Sequence, residues 1–288
     1  MKISTKYHIG FFSILFAFSF SIDISFKKNI TSLIITIDIE YFNNSHFIAT
    51  NGGLYSIENM ELSIHDYGLK TFDLTGIYAD EEFLWISSNH KGMIQVLDSN
   101  LNISKIVDYP LYDFLGETVF SDEYAYSIAH EENSVFVVQY LKNNGEPIYL
   151  NTLSNFNLEY NSINDIQIYN GLLYIATDNG LLSAYINENE ENLIFSNEWN
   201  VSNAFMDIKS LALPYFFADN SVYDISIDEM ILTFDLTNDS FVDLKTESNI
   251  YVLTSNRVRI FDKDYPYSEM NNVTKPEIYK QDFSCFDM

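Results

Sequence analysis

The stretch GLLYIATDNGLLSAYI, residues 171–186, consists of two short apolar runs joined by an Asp-Asn-Gly turn. A similar stretch, HFIATNGGLYSI, occupies residues 46–57. Apolar runs of this length on either side of a glycine-containing turn predict a β-hairpin. Because the chain carries this hairpin at least twice, a repeat period has to be sought before any other feature.

Six copies of the hairpin align on the centre of its first strand. The aligned positions are Ile48, Ile86, Ser127, Ile175, Phe216 and Val252. They follow one another at intervals of 36 to 48 residues, and the longest interval is interpreted as an insertion around NTLSNFNLEYNS, residues 151–162. One apolar run precedes each hairpin and another follows it, so each repeat of about 40 residues contains four strands.

Four strands in a repeat of this length are typical of a β-propeller blade. A β-sandwich has no reason to repeat its hairpins, and the coil of a β-solenoid is usually shorter. We therefore predict an all-β fold with a single β-propeller of four antiparallel strands per blade. Six blades fit the length, and a seventh, degenerate blade is the alternative. Either SLIITI (32–37) or PEIYKQDF (276–283) is expected to supply the closing strand.

The hairpin text also resembles two known repeats. FIATNGGLYSI resembles the repeat of the sensor propellers attached to bacterial two-component regulators. LLYIATDNGLLSAYI is similar to the quinoprotein-type propeller repeat of outer-membrane assembly scaffolds. Both motifs are structural, so the resemblance implies a propeller and no particular chemistry.

Charge and the first residues limit the compartment and the partners. The chain of 288 residues has 41 Asp and Glu against 15 Lys and Arg, a net charge of −26, which disfavours nucleic acid. Residues 1–21 read as a signal peptide, because two lysines precede a 12-residue apolar run that is too short to span a bilayer. An uncleaved anchor and a buried strand are the alternatives. We expect residues 22–288 to form the propeller with a short C-terminal tail, in a secreted, periplasmic or cell-surface protein without a transmembrane segment.

The sequence contains few signatures of catalysis or cofactor binding. Its single cysteine, Cys285, allows neither an internal disulfide nor a zinc cluster. None of the five histidines has metal-ligand spacing, although His90 and His130 follow the cores of neighbouring repeats and are expected on one face. No cofactor is therefore predicted, with one exception concerning a metal ion.

That exception is a regular set of acidic residues. Counting back nine or ten positions from each aligned core gives Asp38, Gly76, Glu117, Asp165, Asp207 and Asp243. These positions fall near the start of the innermost strand of each blade, which lines the central channel. The carboxylates are interpreted either as caps of turn amides or as an acidic ring at the channel mouth that holds a calcium-class ion.

Three functions remain open. The first is an exported, non-catalytic module that binds a protein or another extracellular ligand, with Tyr109 and Tyr112 of DYPLYDFLG (108–116) as candidate contacts because aromatic side chains dominate interface energetics. The second is a scaffold subunit of an envelope assembly. The third is a propeller enzyme or quinoprotein, which the scarcity of basic residues disfavours.

Overall fold

The structure is a computed structural model, and it describes residues 36–58, 61–65, 67–88, 93–108, 112–186, 190–237, 239–264 and 269–274. The predicted signal peptide at residues 1–21 and the residue Cys285 lie outside this described part of the chain. Within it, no helix is both long enough and apolar enough to cross a membrane.

The chain folds into six antiparallel sheets, each built from four consecutive strands. Blades 1 and 2 comprise β1 (Thr36–Phe42), β2 (Ser45–Thr50), β3 (Gly53–Glu58), β4 (Glu61–His65), β5 (Leu74–Ala79), β6 (Leu84–Ser88), β7 (Ile94–Leu97) and β8 (Ile103–Val107). Blades 3 and 4 comprise β9 (Phe114–Phe120), β10 (Tyr124–Glu131), β11 (Ser134–Leu141), β12 (Ile148–Leu153), β13 (Ile163–Tyr169), β14 (Leu172–Thr177), β15 (Gly180–Tyr185) and β16 (Asn200–Ser202). Blades 5 and 6 comprise β17 (Ser210–Ala212), β18 (Tyr215–Ala218), β19 (Ser221–Asp224), β20 (Glu229–Thr233), β21 (Phe241–Thr246), β22 (Asn249–Thr254), β23 (Arg257–Asp262) and β24 (Glu269–Thr274).

These sheets confirm the predicted six-bladed β-propeller. All six aligned core positions fall in the second strand of a blade. The first and innermost strands contact one another from blade to blade, in the order β1, β5, β9, β13, β17 and β21. We call face A the side of the disc that carries the turns between first and second strands, such as residues 43–44. Face B is the side that carries the turns between second and third strands, such as residues 51–52.

The repeated Ala-Thr and the glycine after it have a direct role in the hairpin turn. The Thr50 hydroxyl donates to the carbonyl of Gly53 at 2.8 Å, and the Thr177 hydroxyl donates to that of Gly180 at 2.7 Å. Both glycines have positive φ, which side-chain-bearing residues rarely adopt. The motif therefore recurs because each of these hairpins needs a buried hydroxyl to close the turn and a glycine to complete it.

The hydrophobic core lies between neighbouring blades. Five clusters of buried apolar side chains join blades 1 and 2, 2 and 3, 3 and 4, 4 and 5, and 5 and 6. In the cluster between blades 3 and 4, Tyr126 and Val137 lie in one sheet, and Ile166 and Leu173 lie in the next. A second strand such as β6 is buried along its whole length because a blade covers each of its sides, which explains its continuous apolar sequence.

Two sequence expectations need correction. Blade 6 already has its four strands with β24, Glu269–Thr274, so it needs no separate closing strand. Residues 32–35 of SLIITI and all of PEIYKQDF lie outside the described residues. The long third repeat does not owe its length to residues 151–162 alone. Its β10 and β11 have eight residues each, whereas the second and third strands of the other blades have four to six. Relative to the six-residue strands of blade 4, four of the extra residues therefore lengthen a hairpin.

Candidate functional site

The predicted acidic positions coincide with irregularities in the innermost strands. In β1, β5, β9, β13 and β21 the pairing register with the second strand shifts at or just before the predicted residue. Such bulges re-aim a side chain. Asp38, Glu117, Asp165 and Asp243 line a central cavity of about 580 Å³, together with residues such as Glu40 and Lys245.

Asp38 and Asp165 make the same pair of bonds in different blades. One oxygen of Asp38 accepts from the backbone N–H of Ile39 at 2.9 Å, and the other accepts from Ile77 of the next blade at 3.0 Å. Asp165 likewise accepts from Ile166 at 2.6 Å and from Leu211 of the next blade at 2.5 Å. The innermost strand is the edge of its sheet, where backbone amides otherwise lack partners. Each aspartate therefore caps its own strand and ties it to the next blade.

Asp243 joins blade 6 to its neighbour in a related way. Its Oδ1 accepts from the Leu244 N–H at 2.8 Å and from the Ser210 hydroxyl of blade 5 at 2.9 Å. Its Oδ2 lies 3.9 Å from the Nζ of Lys245. Lys245 was not among the predicted site residues, although its position two residues after Asp243 places both side chains on the same side of a strand.

Protonation at the centre of this cluster is set mainly by burial. Burial raises the pKa of Glu117 well above its usual range, and the nearby Asp165 charge raises it further. The Glu117 carboxyl hydrogen-bonds to Asp165, whose own pKa is raised by burial. Burial also raises the pKa of Asp243 to about 6, although the Lys245 charge opposes this shift. A proton and a lysine thus relieve the repulsion among these carboxylates.

Gly76 interrupts the acidic series because Tyr78 occupies the space of a side chain there. A Cβ atom at residue 76 would overlap the Tyr78 hydroxyl. Blade 2 is tied to blade 3 by another group, the Thr75 hydroxyl, which donates to the Leu115 carbonyl at 2.5 Å.

Asp207 does not join the other carboxylates, and its predicted place at the start of an innermost strand is wrong. It precedes β17, is exposed, and pairs with Lys209 at 2.5 Å. The equivalent residue in blade 5 is Ser210, which is paired with Phe217, just as Asp165 is paired with Ala176. Counting nine residues back failed because β17 has no register shift and a shorter path to β18.

The residues predicted to hold a metal ion all lie within the described part of the chain. Among the residues that the structure describes, no three His, Cys, Asp or Glu side chains are placed to hold a metal ion. A calcium-class ion at Asp38, Glu117, Asp165, Asp207 and Asp243 stays a prediction.

Of the two candidate ligand contacts and the two histidines predicted on one face, the structure describes Tyr112 and His130. Tyr109 and His90 lie outside the described residues. Tyr112 is buried, its ring packs edge-on against Phe136 with centroids 5.3 Å apart, and burial raises its pKa to about 12. His130 stacks on Phe114 at 3.9 Å, and burial lowers its pKa. The Tyr112 ring therefore packs between blades, although the residue also lines a groove.

This groove lies on face B around the end of blade 3, and its volume is about 700 Å³. It reaches the blade 2 side of the sheet at Tyr112 and the blade 4 side at Tyr160. Its walls are the tip of the β10–β11 hairpin and the connection from β12 to β13. The lining residues are Tyr112, Glu131, Asn133, Ser134, Val135, Phe136, Tyr149, Thr152, Ser154, Leu158, Glu159, Tyr160 and Asn161. Clefts with an apolar floor and a few converging polar groups are the usual ligand sites of proteins.

Comparison with known proteins supports the fold alone. No family model matches the chain, and no curated protein matches it. PorZ, described as an essential bacterial surface component of the type-IX secretion system of Porphyromonas gingivalis, superposes on 83% of this chain with a TM-score of 0.59 and 16% identity. The chain spans only 33% of PorZ.

Two further structures are covered over most of their own length. BamB from Moraxella catarrhalis matches 83% of this chain and 76% of its own, with a TM-score of 0.52 and 11% identity. The computationally designed protein Ika8 matches 89% of this chain and 91% of its own, with a TM-score of 0.61 and 8% identity. At such identities a likeness is one of fold. Together with the six repeated sheets, it shows that the chain is a β-propeller repeat protein.

Proposed function

We propose that this protein is an exported, non-catalytic propeller that binds a partner protein through face B. The main observation behind the proposal is that the channel carboxylates form hydrogen bonds that connect neighbouring blades. Both oxygens of Asp165 accept backbone N–H groups, so the position nearest the channel axis is engaged in holding the ring together. The groove on face B, by contrast, has exposed side chains on its walls, among them Glu131, Ser134 and Glu159.

Surface charge supports a partner that is not anionic. Ion pairs with carboxylates already engage Lys70, Lys142, Lys209, Lys245, Arg257 and Arg259. The net charge of −26 leaves acidic groups in large excess over basic ones. A field of this sign steers cationic surfaces toward the protein and repels anionic ones.

Export is supported by the signal-like residues 1–21 and by the description of PorZ as a bacterial surface component. A scaffold subunit of an envelope assembly is the second candidate. Large apolar side chains stand exposed around blades 4 and 5, among them Tyr185, Phe195 and Met230. Exposed apolar groups of this size become covered when subunits associate.

Site-specific photo-crosslinking in the native host tests both candidates. A photoreactive amino acid is placed at Ser134 in the groove, at Glu81 on face A, or at Met230 on the rim, all of which are exposed. The binding function predicts one discrete adduct from Ser134 and none from Glu81. An adduct from Met230 alone would favour the scaffold, and the absence of adducts from all three would contradict both.

The compartment is tested separately with a fusion reporter. Alkaline phosphatase joined after residue 288 is expected to be active, because this enzyme folds only where its disulfides form. Activity that persists after residues 1–21 are deleted would contradict export by that segment.

A further inference from the structure

The β10–β11 hairpin of blade 3 is longer than the second-to-third-strand hairpins of the other blades. Residues of β10 and β11 pair over eight positions, from Tyr124 with Leu141 to Glu131 with Ser134. The corresponding hairpin of blade 4 pairs over six positions and ends at Thr177 with Gly180. Counted from the equivalent positions Ser127 and Ile175, the two extra pairs both lie at the face B end. The hairpin therefore projects over the disc by two pairs of residues.

This projecting tip is fixed rather than free. The backbone N–H of Glu132 donates to Asp113 Oδ2 at 2.6 Å, and the N–H of Asp113 donates to the His130 carbonyl at 2.8 Å. The His130 ring stacks on Phe114 with an interplanar angle of 14°. A rigid wall reduces the entropy lost when a ligand binds.

The opposite wall is equally well anchored. The Tyr160 hydroxyl donates to the Val135 carbonyl of the hairpin at 3.1 Å. Asn161 donates to Asp178 through its backbone N–H at 2.9 Å and through its side chain at 2.8 Å. The connection between blades 3 and 4 is therefore held against both of them.

The groove between these walls combines aromatic rings with negative charge. On the floor, the hydroxyls of Tyr149 and Thr152 lie 3.0 Å apart, beside Tyr112. Glu131 and Glu159 are exposed, one on each wall. No Lys, Arg or His is among the described residues that line the groove. Carboxylates pair with guanidinium groups in bidentate fashion, and aromatic faces attract cations.

We propose that the groove binds an extended, arginine-containing segment of a partner protein, with the guanidinium group between Glu131 and Glu159 and its stem against the tyrosines. This inference rests on the proposed binding function, because it names the chemistry of the partner at the same site. Projecting walls, an aromatic floor and two unopposed carboxylates all fit a cationic side chain better than an anionic one.

Binding of a synthetic peptide to the full chain tests the proposal. The probe is fluorescein-labelled Gly-Arg-Gly-Arg-Gly-Arg-Gly, measured by fluorescence anisotropy at about 0.15 M salt to limit long-range attraction. The double variant E131Q/E159Q is expected to weaken binding about tenfold, which corresponds to about 1.4 kcal/mol. The matched control E81Q/E123Q removes the same charge from exposed positions on face A and is expected to change binding less than about twofold.

Steric blocking gives an independent second variant. Ser134→Arg places a cation at the mouth of the groove and is expected to abolish binding while the melting temperature stays unchanged, because Ser134 is exposed.

Equal weakening by the two double variants would overturn the proposal, since binding would then follow net charge. Binding of neutral chitohexaose in the groove without binding of the peptide would also overturn it. Adducts from position 134 together with failure of the peptide to bind would refute the ligand chemistry alone and leave the binding function in place.

Discussion

Asp165 of blade 4 and Asp207 of blade 5 lie at similar distances before the aligned core positions, but they have opposite roles in the structure. Asp165 of blade 4 lies next to the channel and accepts two backbone amides, one of them from blade 5. Asp207 of blade 5 lies on the surface, where Lys209 is its partner. The difference comes from the backbone, because β13 has a register shift before Asp165 and β17 has none. A carboxylate in this fold thus becomes a tie between blades only where a bulge directs it to the channel.

The largest expected effect on the free energy of unfolding comes from substituting Asp165, and Asp207 provides the comparison. Asp165→Ala removes the acceptor of the Ile166 and Leu211 amides and the partner of Glu117, so it is expected to lower the free energy of unfolding by about 3 kcal/mol. Asp207 has a φ of 53°, which asparagine tolerates. Asp207→Asn therefore breaks only an exposed ion pair, and it is expected to cost less than about 0.5 kcal/mol. Urea unfolding of both variants measures the difference. Similar losses in the two variants would contradict the comparison.

Gly76 extends the comparison to a blade that lacks the carboxylate altogether. Gly76→Ala is expected to cost about 1–3 kcal/mol, because the new methyl group would overlap the Tyr78 hydroxyl. Tyr78→Phe removes that hydroxyl, so the double variant G76A/Y78F is expected to recover part of the loss, as measured by thermal unfolding. Strictly additive effects would show that the Tyr78 hydroxyl is not the obstacle.

The pH dependence of stability distinguishes the buried carboxyls from exposed ones. Folding raises the pKa of Glu117, Asp165 and Asp243, so their contribution is complete below about pH 4. That contribution is lost as the pH rises through the folded pKa, which for Asp243 is about 6. We therefore expect the free energy of unfolding to fall by about 1–2 kcal/mol between pH 5 and 7.5.

Glu117→Gln imitates the protonated acid and is expected to reduce this fall. Glu123→Gln removes one exposed charge and serves as the control for the general repulsion in so acidic a chain. An unaltered pH dependence in Glu117→Gln, compared with the control, would show that the titration of Glu117 does not contribute to this fall. At the acid end, hydrogen bonds lower the pKa of Asp178 and Asp239, although burial opposes this. Their contribution is lost as the pH falls below about 4.

The smallest effect is expected from calcium. Lys245 and backbone amides already interact with the channel carboxylates, so millimolar calcium is expected to change stability by less than about 0.5 kcal/mol relative to a chelator at equal ionic strength. A clear rise in melting temperature with calcium, abolished by D165N, would instead support the ion site.

The repeat period was sufficient to predict the blade number, the strand order and the buried second strand, because these follow from spacing and apolar pattern. It also located Asp38, Glu117, Asp165 and Asp243 beside the channel. The period did not identify Ser210 as the blade 5 equivalent of Asp165. The absence of a bulge in β17 cannot be recognised from the spacing of charged residues. The groove likewise escaped prediction: the two extra pairs of β10 and β11 become visible only when the strands are paired.

Hydrogen exchange at the amides of Ile77 and Leu211 tests most directly whether channel carboxylates tie the blades together. Both amides donate to an aspartate of the preceding blade. We predict that they exchange only through global unfolding, as slowly as an amide in a middle strand such as that of Ile86. In Asp165→Asn, protection at Leu211 should fall well below that at Ile77. Exchange of both amides in the wild-type protein as fast as that of the exposed turn residue Asn133 would contradict the account.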